Sequence, residues 1–401
     1  MQLPFRISAQ LLRQGPPITE AITSLSHRAL LSLSGPDAPK FLQGLTTNNV
    51  PAPPDSGVQN GWYTAFLNAK GRVLYDAFVY PAAHLPGAST QQDGKATLDW
   101  SCFIEVDATC VAELEKLLKR HKLRSKVSIR RVEDHGVWHA RTARNPAEME
   151  AMPPSILVLR DPRVPARQPD DPPPMGYRLV LPHTAAYLSS SSSSASSSPA
   201  QPPPSAPAAF AELPPQESAM YTLHRYLSGV PEGPTEIVPE DALPLESNID
   251  YMAGIDFRKG CYVGQELTIR TKHTGVVRKR ILPILTRRAV DEGEGGGEIE
   301  GENLAQSLPH GENIRVWGDE ETKASKRPAG KWLAGVGDVG LGLCRLEMMA
   351  EKGPRACGIE LVGEGESKSK VGMEAVVPEW HRRREEELSK RGKKKGEEGG
   401  G

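Results

Sequence analysis

Residues 189–198 read Ser-Ser-Ser-Ser-Ser-Ser-Ala-Ser-Ser-Ser, and a Pro/Ala-rich stretch follows to Pro215. Such a segment has too little apolar surface to offset the entropy of ordering it. About residues 189–216 are therefore expected to form a disordered insert. Leu179–Leu181 before it and Met220–Leu227 after it carry apolar patterns of ordinary secondary structure. The insert thus interrupts a domain rather than joining two, and the core must be assembled from segments far apart in the chain.

Other stretches dilute the core in the same way. Asp291–Glu302 holds six acids, several glycines and no Lys or Arg, and it reads as part of a long acidic, Gly-rich surface loop over about 288–312. Residues 381–401 alternate basic and acidic runs before ending in glycines, which predicts a disordered charged tail. Gly 38 and Pro 36 in 401 residues are well above the roughly 12 % average for the pair, and only 5 % of residues are aromatic. A net charge of −1 excludes a polycation that coats nucleic acid or a membrane surface. No apolar run approaches the ~18 residues of a membrane span. Five cysteines without a Cys-x-x-Cys pair do not make a disulfide scaffold, and a reducing compartment is the simplest reading.

The N-terminus looks like an address. Residues 1–19 contain Arg6 and Arg13 and no acid, and Leu3, Ile7, Leu11 and Leu12 fall near one helical face. That composition fits a mitochondrial transit peptide, expected over 1–22, and the absence of a continuous apolar stretch argues against secretion.

Periodicity predicts a mixed fold. Leu30–Leu33 reads as a strand, and Ala38, Phe41, Leu42 and Leu45 as a helix. Trp62–Leu67 and Val73–Tyr80 form a hairpin about the turn Asn68-Ala-Lys-Gly71. Leu98–Val106 and Lys126–Val132 are strands, and a helix capped by Asp107 runs to about His121 between them. Short runs at Val276–Leu285, Ile314–Trp317, Trp332–Val336, Leu341–Glu347 and Glu374–Val377 suggest a small all-β domain. The class is α+β, with one domain over 23–285 and a second over 286–380. Gly335-Val-Gly-Asp-Val-Gly340 matches a dinucleotide-binding pattern, but no βαβ context surrounds it, so it reads as a turn.

The most informative stretch is Lys259-Gly260-Cys261-Tyr262-Val263-Gly264-Gln265-Glu266. A lysine two positions from a cysteine favours the thiolate, and a helix starting at Gln265 would place Cys261 near a positive N-terminal end. Gly260 and Gly264 permit a tight turn and close approach by a ligand, while Gln265 and Glu266 offer acceptors. Chemistry alone leaves an inert cysteine in a Gly-rich turn equally open. A nucleophilic role needs a base, and neither His224 nor His273 has suitable spacing. A cluster wants about four thiolates, so this chain would need a partner's. Cys102, Cys110, Cys344 and Cys357 have no ligand spacing. Seven Lys/Arg and one acid between Arg258 and Arg280 make a local basic patch. The patch lacks the interleaved aromatics that single-stranded nucleic acid binding uses.

This octapeptide, with its lead-in Leu-Glu-Ser-Asn-Ile-Asp-Tyr-Met-Ala-Gly-Ile-Asp-Phe-Arg over 245–258 and its continuation over 267–280, resembles the signature of the folate-binding YgfZ/GcvT family, and most closely its mitochondrial iron–sulfur assembly branch. Ser-Gly-Pro-Asp-Ala-Pro-Lys-Phe-Leu-Gln-Gly-Leu-Thr-Thr-Asn over 34–48, Leu-Asn-Ala-Lys-Gly-Arg-Val-Leu-Tyr-Asp over 67–76 and Val-Pro-Glu-Trp over 377–380 agree. The resemblance implies an aminomethyltransferase-like folate-binding domain around a central cavity, then a small β-barrel. It implies a late-acting factor of the mitochondrial matrix that works with A-type carriers to mature [4Fe–4S] clients such as aconitase and lipoate synthase. Cys261 and Lys259 would carry the activity, with Cys261 a transient ligand of a [2Fe–2S] or [4Fe–4S] cluster shared with a partner. Gly260, Tyr262, Gly264, Gln265, Glu266, Asp76 and Arg270 would bind a tetrahydrofolate-like ligand. Relatives that transfer one-carbon units carry an Asp-Asp pair where this chain has Tyr75-Asp76; that departure counts against aminomethyl transfer and fits the assembly branch, while the implied cavity makes a folate-dependent transferase the alternative.

Overall fold

The structure is a computed structural model that describes residues 7–17, 19–51, 61–81, 89–92, 95–98, 100–143, 156–168, 171–183, 199–288, 303–317, 327–350, 357–362 and 368–398. Its elements are helix α1 (Ala9–Gln14), strands β1 (Ala21–Ser24) and β2 (Arg28–Ser34), α2 (Ala38–Gln43), β3 (Trp62–Leu67), β4 (Val73–Pro81), β5 (Ser89–Gln92), β6 (Lys95–Leu98), β7 (Ser101–Asp107), α3 (Val111–Lys122), β8 (Ser128–Val132), β9 (His135–Arg141), β10 (Leu157–Arg160), β11 (Tyr177–Pro182), α4 (Ala208–Ala211), α5 (Ser218–Ser228), α6 (Gln265–Thr274), β12 (Lys279–Arg288), α7 (Leu304–Ser307), β13 (Asn313–Val316), β14 (Gly330–Val336), β15 (Val339–Arg345), α8 (Leu346–Met349), β16 (Cys357–Val362), β17 (Lys368–Ala375) and α9 (Glu379–Glu398).

Two antiparallel sheets build the larger domain. One has the order β3-β4-β7-β2-β8, the other β1-β9-β11-β10. Strands β3 and β7 are buried on both faces, because α2 and α3 cover the outer face of the first sheet while its inner face meets the second layer. Covering both faces turns an alternating pattern into a continuous apolar run, as in Trp62–Leu67. The β3–β4 hairpin forms as its turn residues predict, with Asn68 Oδ1 accepting from the Lys70 and Arg72 amides.

The smaller domain is a closed barrel in the order β12-β15-β14-β13-β16-β17. The fold class is therefore the expected α+β one, but the domain boundary moves. Strand β12 begins at Lys279 and pairs with β15 and β17, so the barrel begins there rather than at 286. The glycine pattern at 335–340 is the β14–β15 hairpin, which turns at Gly337 with φ +61°. Strand β15 ends at Arg345, where α8 takes over, and β16 has no counterpart in the sequence reading.

Several segments expected to lack structure are folded. The serine run itself lies outside the described residues, as does Asp291–Glu302. The Pro-rich end of the first insert forms α4 and buries Phe210 and Leu213 against β9 and β11. Those two side chains supply apolar area that the average composition concealed. The end of the acidic loop carries α7 and seats Ala305 and Leu308 in the barrel core. The tail begins as α9, with His381 buried and Trp380 Nε1 donating to the Ser228 carbonyl at 2.8 Å. Within the segment expected as an address, α1 buries Leu12 among Leu223, Tyr226 and barrel residues, and β1 begins before residue 22. Asp107 does not cap α3; Cys110 holds that position, and Asp107 accepts from Thr109.

Candidate functional site

The Cys261 loop is held from both sides by the connection between α2 and β3. The Asp256 amide donates to the Thr47 carbonyl and the Val263 amide to the Gly44 carbonyl, while Thr47 Oγ1 donates to the Gly254 carbonyl at 2.6 Å. Asn48 Nδ2 donates to the Ala253 carbonyl. Between these ties Gly260 and Cys261 are exposed, and a Cβ added at Gly260 would touch nothing within 4 Å. The thiol therefore stands at the apex of a loop whose feet are fixed.

The same loop rests on the β3–β4 turn. Gly264, at φ +78°, caps the N-terminus of α6, and a Cβ there would lie 2.3 Å from the Asn68 carbonyl oxygen. A Cβ at Gly71 would lie 2.8 Å from Leu267 Cβ. Only two glycines facing each other let the turn and the helix start approach this closely. Tyr262 is buried in the main core, its amide bonded to Gln265 Oε1 at 3.3 Å. Glu266 and Arg270 lie exposed on α6.

Lys259 does not attend the thiol. Its Nζ donates to the carbonyls of Gln43, Thr46 and Asn48 at 2.8, 2.6 and 2.9 Å, and lies 4.9 Å from the Tyr262 ring centroid. Burial pulls its pKa down to about 8, against the raising effect of Asp256. Three convergent carbonyls match the three donors of an ammonium. The expectation that this lysine acts directly on Cys261 is corrected: its donors are consumed in closing the loop. Of the two histidines nearest in sequence, His224 is buried in α5 beside His139 and His273 is exposed near the end of α6. The described residues also contain no group of three or more His, Cys, Asp or Glu arranged to hold a metal ion.

Asp76 belongs to a different place. Strand β4 alternates, so Tyr75 packs on the helix-covered face and Asp76 turns into the space between the sheets. Asp76 lies about 10 Å along β4 from its first residue, Val73, and so beyond the turn that carries Gly71. Asp76 accepts from the Gly233 amide at 3.0 Å and lies near Tyr63 Oη. Burial raises its pKa; Arg28 opposes the rise and Glu232 adds to it. Around it lies a buried ionic network that the sequence reading missed. Arg28 and Arg178 converge on Glu105, and Arg163 bridges Asp161 and Glu232 at 2.7 Å to each. Tyr221 Oη donates to Glu232 Oε2 at 2.6 Å. Burial pushes Glu232 upward, but Arg178, Arg163 and Arg28 outweigh it and hold the carboxyl well below its usual range. Arg28 Nη1 and Nη2 and Glu232 Oε1 are buried without a hydrogen-bond partner. The one signal available was a charged residue inside an apolar strand, as with Glu105 in Cys102-Phe-Ile-Glu-Val106 and Arg178 in Tyr177-Arg-Leu-Val180.

A family model for the CAF17 C-terminal beta-barrel domain matches residues 278–383, in agreement with the barrel's start at Lys279. An iron–sulfur cluster assembly factor IBA57 homolog, mitochondrial, from Neurospora crassa is 41% identical over 361 residues, covering 82% of this chain and 71% of that one. The chain belongs to the IBA57 family of mitochondrial iron–sulfur cluster assembly factors. The IBA57 homolog from Pyricularia oryzae is 40% identical, over 91% of this chain and 85% of its own. Among solved structures, the glycine cleavage system aminomethyltransferase T from Bartonella henselae aligns with a TM-score of 0.56 at 13% identity, over 93% of this chain and 88% of that one. That likeness gives this IBA57-family chain an aminomethyltransferase-like fold.

Proposed function

We propose that this protein is a late-acting assembly factor of the mitochondrial matrix, imported through its acid-free N-terminal residues, and that Cys261 is the group it presents to a cluster in transit. The observation that carries the reading is an exposed thiol at the apex of a loop whose feet are pinned by Lys259, Thr47 and Gly44. A cluster wants about four thiolates, and Cys261 has no companion ligands in this chain among the described residues. The remaining ligands then come from a partner of the A-type carrier class, and the recipients are [4Fe–4S] client enzymes. The chain's own work is to hold one sulfur at fixed height and orientation, which lowers the ordering cost of docking.

We propose that a folate-like ligand binds beside Asp76. Arg28 Nη1 and Nη2 and Glu232 Oε1 make no hydrogen bond there, although Oε1 lies 4.0 Å from Arg28 Nη1 and 3.5 Å from His27 Nε2, so a ligand that enters between them would meet two donors and one acceptor from ionised groups. A pterin ring presents a carbonyl and amine donors on one edge, which complement that set. Bound there, the ligand would supply a one-carbon carrier or simply fill the core. Asp76 is the carboxylate that reaches this space, and Tyr75 faces the other way, so replacement of the first acid of the relatives' pair leaves the interior unchanged. That observation keeps the transferase as the second reading.

The test is anaerobic reconstitution of the full chain with an A-type carrier, comparing wild type with Cys261→Ala. Activation of a [4Fe–4S] client should be lost in the variant, while folate binding, measured separately by calorimetry, should persist. Undiminished activation by Cys261→Ala would sink the assembly role of the thiol. Tetrahydrofolate-dependent one-carbon release that disappears in Asp76→Asn would promote the second reading.

A further inference from the structure

A cleft apart from both regions opens between α6, β12 and α9. It encloses about 240 Å³ and is walled by Leu245, Val277, Leu282, Val377 and Leu388. His381 lines it; the ring is 2 % exposed, and its Nε2 has no hydrogen-bond partner. Burial and the neighbouring Arg280 hold its pKa well below the usual value, so the imidazole is neutral. Arg280 also lines the cleft, but its in-plane donors are engaged. Nη1 donates to the Leu245 carbonyl and to Asp250 Oδ1, and Nη2 to Asp250 Oδ2. The Tyr251 ring covers one face of the guanidinium at 3.5 Å. What Arg280 can still offer a ligand is its other flat face, which suits an aromatic ring. The charged groups of the lining, Asp250, Arg280, Lys272 and Glu385, sum to zero.

We propose that this cleft is a second ligand site, taking a compact, neutral, planar heteroaromatic ring that makes one hydrogen bond to His381 Nε2. Leu245, Val277, Leu282, Val377 and Leu388 give a ring apolar surface to lie on, and polar side chains such as Thr271, Lys272 and Glu385 make up much of the rest of the lining. The balanced charge disfavours an anion or cation, and the volume admits one bicyclic ring. A single unsatisfied ring nitrogen at a domain junction is the sparse polar marking typical of small-molecule sites. A pterin, with its row of donors and acceptors, is the wrong occupant, so this site is independent of the folate reading.

The test uses full-length protein at pH 7.5 and benzimidazole as probe, with cyclohexylmethanol as the non-planar control and 6-methylpterin as the polar bicycle. Ligand-observed NMR gives the affinities, and the ¹⁵N shift of His381 reports the contact. The expected result is saturable benzimidazole binding with a dissociation constant below about 1 mM and a moving His381 Nε2 resonance. His381→Phe should weaken it about tenfold, the loss of one buried hydrogen bond. Leu388→Trp, which fills the cleft from its half-buried side, should abolish it while leaving the alkylation rate of Cys261 unchanged. Non-saturable binding, equal affinity for cyclohexylmethanol or 6-methylpterin, or unchanged affinity in Leu388→Trp would overturn the proposal.

Discussion

The Cys261 loop and the network around Glu232 solve opposite problems with the same residue types. In the loop, a lysine is satisfied entirely by backbone carbonyls so that a neighbouring side chain can be left in solvent. In the network, three arginines and three carboxylates satisfy one another out of solvent, and orphaned atoms remain only where Arg28 approaches Glu232. Charge in the first case fixes a backbone path; in the second it fixes the spacing of two sheets. A loop of this kind should tolerate the loss of its exposed thiol, and a network of this kind should not tolerate the loss of any member.

The largest effect follows from the second half of that contrast. Glu232→Ala removes the acceptor shared by Arg163, Arg178 and Tyr221 and leaves cations buried without compensation. Breaking a buried pair in this way costs about 3–5 kcal/mol. Urea unfolding should show a loss of that size, and a change under 1 kcal/mol would mean that the network is hydrated and structurally idle.

Lys259→Met should cost less, about 2 kcal/mol, because the lost bonds run from a half-buried ammonium to carbonyls that water can partly reach. Arginine should not rescue it, since a planar fork does not match three carbonyls arranged around one nitrogen. The discriminating readout is client activation with Cys261 intact. If activity survives in Lys259→Met, the pinned geometry of the loop is not what the function uses.

These two regions were not equally legible in the sequence. The loop is contiguous, so its glycines, its turn partner Asn68–Gly71 and its following helix could all be read locally. What could not be read was the target of Lys259, because Gln43, Thr46 and Asn48 lie more than 200 residues away and act through backbone atoms that carry no residue signature. The network draws single residues from β2, β7, β11 and α5 and from loops near 161 and 232, so no window contains more than a fragment. The β3–β4 hairpin and most barrel strands were legible because strand alternation and glycine turns are short-range, whereas β16 was missed and closure into a barrel came from the resemblance alone. The folded ends of the inserts were not, because two buried side chains, Phe210 and Leu213, are enough to dock a segment whose average composition is that of a linker.

Acidification offers a graded way to separate the regions. His139, His224 and His381 are buried and neutral, each with its pKa depressed chiefly by burial, to about 3 for His139. In the unfolded chain they bind protons below about pH 6.5, and in the folded chain they do not. The unfolded state then holds more protons, so stability is full above pH 6.5 and falls as the pH drops below it, by about 1.4 kcal/mol per pH unit for each histidine. His224→Gln should make the slope between pH 6 and 5 shallower by that amount, whatever it does to stability at pH 7.5. An unchanged slope would place the protonation elsewhere.

The smallest expected change in stability is the sharpest test of the contrast. Cys261→Ser alters an exposed, free side chain, so unfolding free energy should shift by less than about 0.5 kcal/mol. In the wild type the thiol should be the first of the five cysteines to react with iodoacetamide, because Cys102, Cys344 and Cys357 are buried and Cys110 is half-buried, with burial pushing the Cys102, Cys110 and Cys344 thiols upward. Peptide mapping after brief alkylation reads this directly. Label appearing at Cys110 before Cys261 would mean that the loop folds over its thiol in solution, and the division between a presented sulfur and a sealed ionic core would no longer hold.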